Sequence, residues 1–170
     1  MKFSKFTKSF FFPFCVIALF AILPFSSSSA SSKEAGKLRV LFIGNSYTYF
    51  NNLPELLVQL SASSKEKKKI EAEMLAVGGA TLKGLWEQGK AREAIQRGGW
   101  NYIVLQEQST LGATKMIDGV AQINDPKAFH EAARLFDAEI KKAGAKTIFY
   151  LTWARKDNAD KQPLLTDAYL

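Results

Sequence analysis

Short apolar runs alternate with segments of helical periodicity along this chain, and that alternation constrains the fold more than any other feature. Runs rich in branched residues predict buried strands, and four of them lie at residues 38–43, 70–77, 100–105 and 147–153. A segment with helical spacing follows each of the first two runs, and another precedes the fourth. This order predicts an α/β domain with a parallel sheet and right-handed crossovers.

The first two predicted helices have recognisable starts. Asn52 is placed to cap the first helix and Pro54 lies in its first turn; its apolar face is formed by Leu53, Leu56, Leu57 and Leu60. Thr81 is placed to cap the second helix, which continues to the pair Gly98 and Gly99; its apolar face is formed by Leu82, Leu85, Trp86 and Ile95. We expect Trp86 and Trp100 to belong to the core.

The third predicted helix follows Asp125 and Pro126 and ends near Gly144. One face of it is apolar, with Phe129, Ala132, Ala133, Phe136 and Ile140. The polar segment at residues 106–124, between the third strand and this helix, is long enough to be a functional loop rather than a connection.

The N-terminus has the three-part organisation of a secretory signal. Lys2, Lys5 and Lys8 precede an apolar stretch at residues 10–25, and a small polar run follows at 26–32. We predict a signal peptide at 1–30, a linker at 31–37 and one domain at 38–170. An uncleaved anchor is the alternative, but spanning a bilayer needs about 20 apolar residues, and two prolines interrupt this shorter stretch. The sequence therefore predicts a secreted or periplasmic protein without stable membrane insertion.

Composition excludes several kinds of site. Cys15, the single cysteine, lies within the apolar N-terminal stretch, so the rest of the chain can form neither a disulfide nor a thiolate metal site. Beyond residue 30 the chain has 20 Lys and Arg against 16 Asp and Glu, a net charge of +4. Much of that excess is the lysine run at 65–69, which lacks interleaved aromatic residues and predicts a solvated helix end rather than a nucleic-acid site.

Polar or small residues follow each predicted strand, and parallel strands bring such residues to one edge of the sheet. Ser46, Gly79, Gln108 and Trp153 occupy these positions. Together they could form an acyl-transfer site, with Ser46 as nucleophile and an oxyanion held by the backbone N–H groups of Ser46 and Gly79 and the side-chain amide of Gln108. A serine at this position is equally typical of a helix cap.

Residues 42–48, Phe-Ile-Gly-Asn-Ser-Tyr-Thr, resemble the nucleophile block of the SGNH (GDSL-type) hydrolases. Gly79-Ala80-Thr81 resembles the block whose glycine supplies an oxyanion donor, and residues 106–109 lie where the family has Gly-x-Asn-Asp. The match covers most of residues 38–155. It implies a three-layer, flavodoxin-like sandwich around a parallel sheet, and a serine esterase that needs no metal or cofactor.

Two departures from the family pattern bear on activity. Asn45 replaces the usual aspartate and Gln108 the usual asparagine, which points to a Gly-Asn-Ser variant of the family. The Asp-x-x-His motif that carries the family's base is absent, and the one histidine, His130, is predicted to be an exposed helix residue rather than the base. Because residues 163–170 resemble the start of an apolar helix, we expect the last strand and catalytic histidine to lie beyond this sequence.

Three functions follow as hypotheses. The first is an exported esterase that removes acyl groups from carbohydrate or other small esters, with Asn45, Trp153 and Arg155 as possible substrate-binding residues. The second is a catalytically inactive relative that binds a ligand. The third is a flavodoxin-like phosphate or flavin binder, since Ser46 and Thr48 precede a helix start that could hold an anion. A Rossmann oxidoreductase is disfavoured, because no glycine-rich fingerprint follows the first strand.

Overall fold

A computed structural model describes residues 36–65, 68–111, 115–118, 120–123 and 125–170. The predicted signal peptide and residues 31–35 of the predicted linker lie outside these ranges. The strands are β1 (Lys37–Gly44), β2 (Lys69–Ala76), β3 (Tyr102–Leu105), β4 (Lys115–Ile117), β5 (Val120–Gln122) and β6 (Lys146–Phe149). The helices are α1 (Ser46–Tyr49), α2 (Leu53–Ser63), α3 (Leu82–Glu87), α4 (Lys90–Gln96), α5 (Lys127–Lys142) and α6 (Gln162–Asp167), with a 3₁₀ helix at Lys156–Lys161.

The main sheet has the order β2-β1-β3-β6, and all its strands are parallel. The chain passes from β1 outward to β2, returns across β1 to β3, and continues to β6. The direction of winding therefore reverses between β1 and β3, and in open α/β sheets such a reversal opens a crevice at the carboxyl ends of the two strands. The predicted α/β class and parallel sheet are confirmed.

Helices cover both faces of this sheet because alternate residues of each strand point to opposite sides. On one face Leu41, Ile43 and Ile103 pack into a large core with α3, α4 and α5. On the other face Val40, Phe42 and Val104 pack against Leu53 and Leu57 of α2. The result is three layers, consistent with a flavodoxin-like α/β fold. None of the described helices has the length and apolar character that crossing a membrane would require.

Two predicted elements are shorter than expected. The fourth predicted strand, 147–153, forms β6 only as far as Phe149. The residues after it include the apolar side chains of Leu151 and Trp153, which are exposed. The second predicted helix is divided into α3 and α4 at Gly89, whose φ of +81° is left-handed and unfavourable inside a helix. The predicted cap at Thr81 is confirmed, since its side chain accepts a hydrogen bond from the Gly84 N–H.

Other expectations were also only partly met. Asn52 occupies the N-cap position of α2 but is left-handed (φ +48°) and makes no side-chain cap bond. On the same helix Leu56 and Leu60 are exposed, so its buried face is narrower than the leucine pattern predicts. The loop predicted at 106–124 contains the antiparallel pair β4 and β5. The apolar face of α5 and the burial of Trp100 are confirmed.

Candidate active site

The loops that follow β1, β2 and β3 lie side by side at the carboxyl edge of the sheet. Backbone hydrogen bonds extend the sheet past the strand ends, from the Val77 N–H to the Gly44 carbonyl (3.1 Å) and from the Gln106 N–H to the Ile43 carbonyl (2.9 Å). The three loops that carry Ser46, Gly79 and Gln108 are thus brought together, as the parallel arrangement predicts.

Ser46 is the first residue of α1 and is partly exposed. The residue before it, Asn45, caps this short helix, because its side-chain oxygen accepts a hydrogen bond from the Tyr47 N–H (3.2 Å). Since Asn45 fills the capping position, helix capping does not account for the serine.

Gln106 is fully buried and contacts the residues on either side of Ser46 in the turn, Asn45 and Thr48. Its amide oxygen accepts hydrogen bonds from the Asn45 N–H and the Thr48 hydroxyl, both at 2.9 Å. Its amide nitrogen donates to the Asn45 side-chain oxygen (3.0 Å) and to the Glu107 carbonyl (2.6 Å). One side chain therefore joins the start of the β3 loop to the turn that carries the serine.

Space around this network is restricted at Gly44. A Cβ at that position would lie 2.6 Å from the Gln106 amide oxygen and 2.7 Å from the Thr48 hydroxyl. Real Cβ atoms do not approach other atoms so closely, so glycine is required here for room rather than for its backbone angles. The glycine of the Gly-Asn-Ser motif thus allows Gln106 to reach under the turn.

Asn45 was predicted as a substrate-binding residue, but its side chain is buried, with 1% of the residue exposed. Besides its bonds to Tyr47 and Gln106, it donates a hydrogen bond to the Ala80 carbonyl (2.9 Å). This contact ties the β1 turn to the β2 loop. The structure therefore places Asn45 below the surface, in contact with two loops.

The two other predicted oxyanion donors occupy the adjacent loops. Gly79 is exposed and left-handed (φ +68°), and a Cβ added there would meet no atom within 4 Å. Gln108 is partly exposed, and its side-chain oxygen accepts hydrogen bonds from the N–H (2.7 Å) and the hydroxyl of Thr110. These bonds hold the oxygen end of the Gln108 amide inside its own loop, which leaves the N–H₂ end as its donor.

Glu107 is a buried carboxyl group between these loops. One carboxyl oxygen accepts a hydrogen bond from the Leu82 N–H (3.1 Å) at the start of α3, and the other accepts from the Gln108 N–H (2.5 Å). Burial raises the pKa of Glu107 to about 7, although both backbone N–H donors act to lower it. Glu107 therefore changes its ionisation near neutral pH.

A cavity of about 190 Å³ opens beside the serine. Its lining consists of Ser46, Tyr47, Phe50, Asn51 and Trp153. The Tyr47 and Trp153 rings meet edge to face with centroids 4.9 Å apart, and Phe50 is 81% exposed. Of the two other predicted substrate-binding residues, Trp153 thus lines the cavity beside Ser46, whereas Arg155 is exposed and is not part of this lining.

His130 lies away from this cavity, on α5. It is half-buried rather than exposed as predicted, and its Nε2 is 2.8 Å from the Ala168 carbonyl, just after α6. Two other cavities border it, with Leu111 and Phe129 among their other lining residues. His130 is therefore held between two helical segments and does not line the Ser46 cavity.

The sequence did not single out Gln106 and Glu107, which hold the loops together, nor Tyr47, Phe50 and Asn51 in the cavity. It marked Thr48 only for anion binding, whereas the Thr48 hydroxyl donates to Gln106. One signal was available: Gln106 and Glu107 directly follow a fully apolar strand, a position that parallel sheets use for sites. Their burial and their partners depend on the fold and could not be read from spacing.

Among the described residues, no cluster of three or more His, Cys, Asp or Glu side chains is arranged to hold a metal ion. A comparison with models of known protein families finds no match for this chain, and no curated protein matches it.

Proposed function

We propose that this chain carries the nucleophile and oxyanion loops of a serine ester hydrolase of the SGNH type, with Ser46 as the nucleophile. The observation that carries the proposal is that Asn45 caps α1, so that Ser46 stands at a strand-to-helix turn beside an open cavity without serving as the cap. The turn lies at the reversal between β1 and β3, where open α/β sheets bind ligands.

In the proposed reaction the Ser46 hydroxyl attacks the acyl carbon of an ester. The bond from Oγ to carbon forms, the carbonyl oxygen becomes an oxyanion, and the hydroxyl proton passes to a base. Collapse of this intermediate breaks the ester bond, and the alkoxide leaves with that proton. Water then attacks the acyl-serine in the same way and regenerates Ser46.

The oxyanion needs donors that are already in position. The backbone N–H groups of Ser46 and Gly79 and the side-chain nitrogen of Gln108 are the proposed set. Support comes from the hydrogen bonds that hold the three loops together, through Asn45 to Ala80 and through Gln106 to Asn45.

The proposal requires a base for the Ser46 proton, and two titratable side chains of the described residues can be compared with that role. His130, the one histidine, is bound to the Ala168 carbonyl and does not line the serine cavity. Glu107 is fully buried and already accepts two backbone hydrogen bonds. Neither side chain is placed to take the proton of Ser46.

The cavity favours small substrates. A volume of about 190 Å³ suits a short acyl group, and the exposed aromatic surfaces of Phe50 and Trp153 can pack against a carbohydrate or other small alcohol. Together with the predicted export, this favours acylated carbohydrate or another small ester outside the cytoplasm.

The test is hydrolysis of p-nitrophenyl acetate by the product of the complete gene, compared with its Ser46→Ala variant. We expect the variant to lose about 10⁴-fold or more in kcat/KM, since removal of a triad member costs about 10⁴ to 10⁶ in kcat. Ser63→Ala, at an exposed serine of α2, is the matched control and should retain full activity. Activity retained in Ser46→Ala would disprove the assignment.

A second candidate function is ligand binding without catalysis on the same fold. The position of His130 favours it, because the chain's one histidine is not available to the serine. In that case wild type hydrolyses no ester, and Ser46→Ala leaves ligand affinity unchanged.

A further inference from the structure

The carboxyl group of Glu107 touches two loops at once. It is 1% exposed, and each of its oxygens accepts one backbone hydrogen bond. The Leu82 N–H, at 3.1 Å, belongs to the first residue of α3, and the Gln108 N–H, at 2.5 Å, belongs to the following residue of the β3 loop. Gly79 lies three residues before Leu82. Glu107 thus holds the segments on which two of the three proposed oxyanion donors lie.

Gln106 makes the corresponding connection to the serine turn. Its amide oxygen accepts from the Asn45 N–H and its amide nitrogen donates to the Glu107 carbonyl. Two consecutive residues after β3 therefore link all three loops. Gln106 fixes the serine turn, and Glu107 fixes the segments that carry Gly79 and Gln108.

We propose that Glu107 is a positioning residue, which sets the spacing of the Gly79 and Gln108 loops through its two carboxyl oxygens. The catalytic consequence of this spacing rests on the function proposed above, whereas the linkage of the two loops does not.

A purely structural role explains the carboxyl group poorly. A buried acid without a cationic partner costs stability that an apolar or neutral residue would not. Within the part of the chain that the structure describes, no cation bonds it: the groups that bond it are the two backbone N–H donors, and Gln106 is neutral. Tyr169 is a titratable side chain in contact with Glu107: its phenol oxygen accepts a hydrogen bond from the Glu107 N–H (3.3 Å), and burial raises its own pKa.

The test uses NMR of the full protein and does not depend on activity. In wild type, the Leu82 and Gln108 amide protons should titrate together with a common midpoint near pH 7, because both bond the same carboxyl group. Glu107→Gln should abolish that shared titration and increase hydrogen exchange at one or both amides by about tenfold or more, since hydrogen bonds to charged groups are the stronger class.

The control is Glu131→Gln, at an exposed position on α5, which should leave both amides unchanged. Independent titration of the two amides, or unchanged exchange in Glu107→Gln, would overturn the proposal. If Glu107→Gln does not fold, the wild-type titration alone decides the matter.

An activity measurement then separates this inference from the proposed function. If wild type hydrolyses esters, Glu107→Gln should lower kcat by about tenfold or more with little change in KM, because the oxyanion donors act mainly in the transition state. A tenfold rise in KM with an unchanged kcat would contradict a role in oxyanion positioning. If wild type is inert toward esters, the proposed function fails while the shared titration still tests the linkage.

Discussion

The turn that carries Ser46 has polar side chains below it and aromatic side chains beside it. Below it lies a polar floor, formed by Asn45, Thr48, Gln106 and Glu107, each 1% exposed and hydrogen bonded to neighbouring loops. Beside it lies an aromatic rim, formed by Tyr47, Phe50 and Trp153, with Phe50 and Trp153 largely exposed.

This difference suggests a division of roles: the polar floor fixes the geometry of the loops, and the aromatic rim is open to a ligand. A buried hydrogen-bonded network has little freedom, because each unpaired group costs about 1–3 kcal/mol. An exposed ring can be removed with little loss of stability, yet it supplies contact area to anything that binds. Mutations in the floor should therefore lower the free energy of unfolding, and mutations in the rim should weaken substrate binding.

The largest expected effect on stability is at Gly44, where the floor has no room. Gly44→Ala should lower the free energy of unfolding by about 3 kcal/mol, because the new Cβ would overlap Gln106 and Thr48. Denaturant unfolding measures the change. Gly84→Ala inside α3 is the control, and we expect it to be neutral or slightly stabilising; similar losses in both variants would contradict the packing account.

The second effect is on pH dependence. Because the pKa of Glu107 is raised from 4.5 to about 7 by burial, its contribution to stability is greatest below pH 4.5 and is lost as pH rises through 7, by up to about 3 kcal/mol. Thermal unfolding from pH 5 to 9 should show wild type losing stability relative to Glu107→Gln as the pH rises. A difference independent of pH would show that Glu107 is ionised throughout.

The third prediction contrasts a second glycine with Gly44. Gly79 has ample space but a left-handed backbone, so Gly79→Ala should cost only about 1 kcal/mol, from conformational strain. Esterase activity should fall more than this modest destabilisation implies, since the Gly79 N–H is a proposed oxyanion donor. Loss of stability without loss of activity would remove Gly79 from that set.

The smallest effect on stability is expected at the rim. Trp153→Ala should lower the free energy of unfolding by less than about 1 kcal/mol, because the residue is 55% exposed and loses mainly its edge contact with Tyr47. KM for an aromatic or carbohydrate ester should rise several-fold. Arg155→Ala, next to the rim but outside the cavity lining, is the matched control. A loss of stability at Trp153 comparable to that at Gly44 would erase the distinction between floor and rim.

The elements of the sheet could be predicted because their signals are local. The apolar runs that form β1 and β3, the Thr81 cap and the buried face of α5 depend on nearest neighbours and periodicity. The fourth predicted strand, β6 in the structure, was predicted too long because Leu151 and Trp153 are apolar residue types typical of buried strands, although both are exposed here. In the second helix, the single glycine that divides it was not recognised.

The site was only partly predictable. Ser46, Gly79 and Trp153 could be predicted as neighbours because each follows a predicted strand, and a parallel sheet brings such positions to its carboxyl edge. Asn45 was predicted to bind substrate, whereas its side chain is buried. The orientation of that side chain depends on hydrogen bonds to Gln106 and Ala80, which are distant in sequence. The roles of Gln106 and Glu107 required knowledge of which loops lie adjacent.

The most direct test of the central claim is covalent capture of the nucleophile. The product of the complete gene is treated with a fluorophosphonate, and the modified residue is located by peptide mass spectrometry. We predict a single adduct on Ser46, formed at the rate at which esterase activity is lost and absent in Ser46→Ala. Ester hydrolysis that continues with Ser46 unmodified, or an adduct at another serine, would contradict the account.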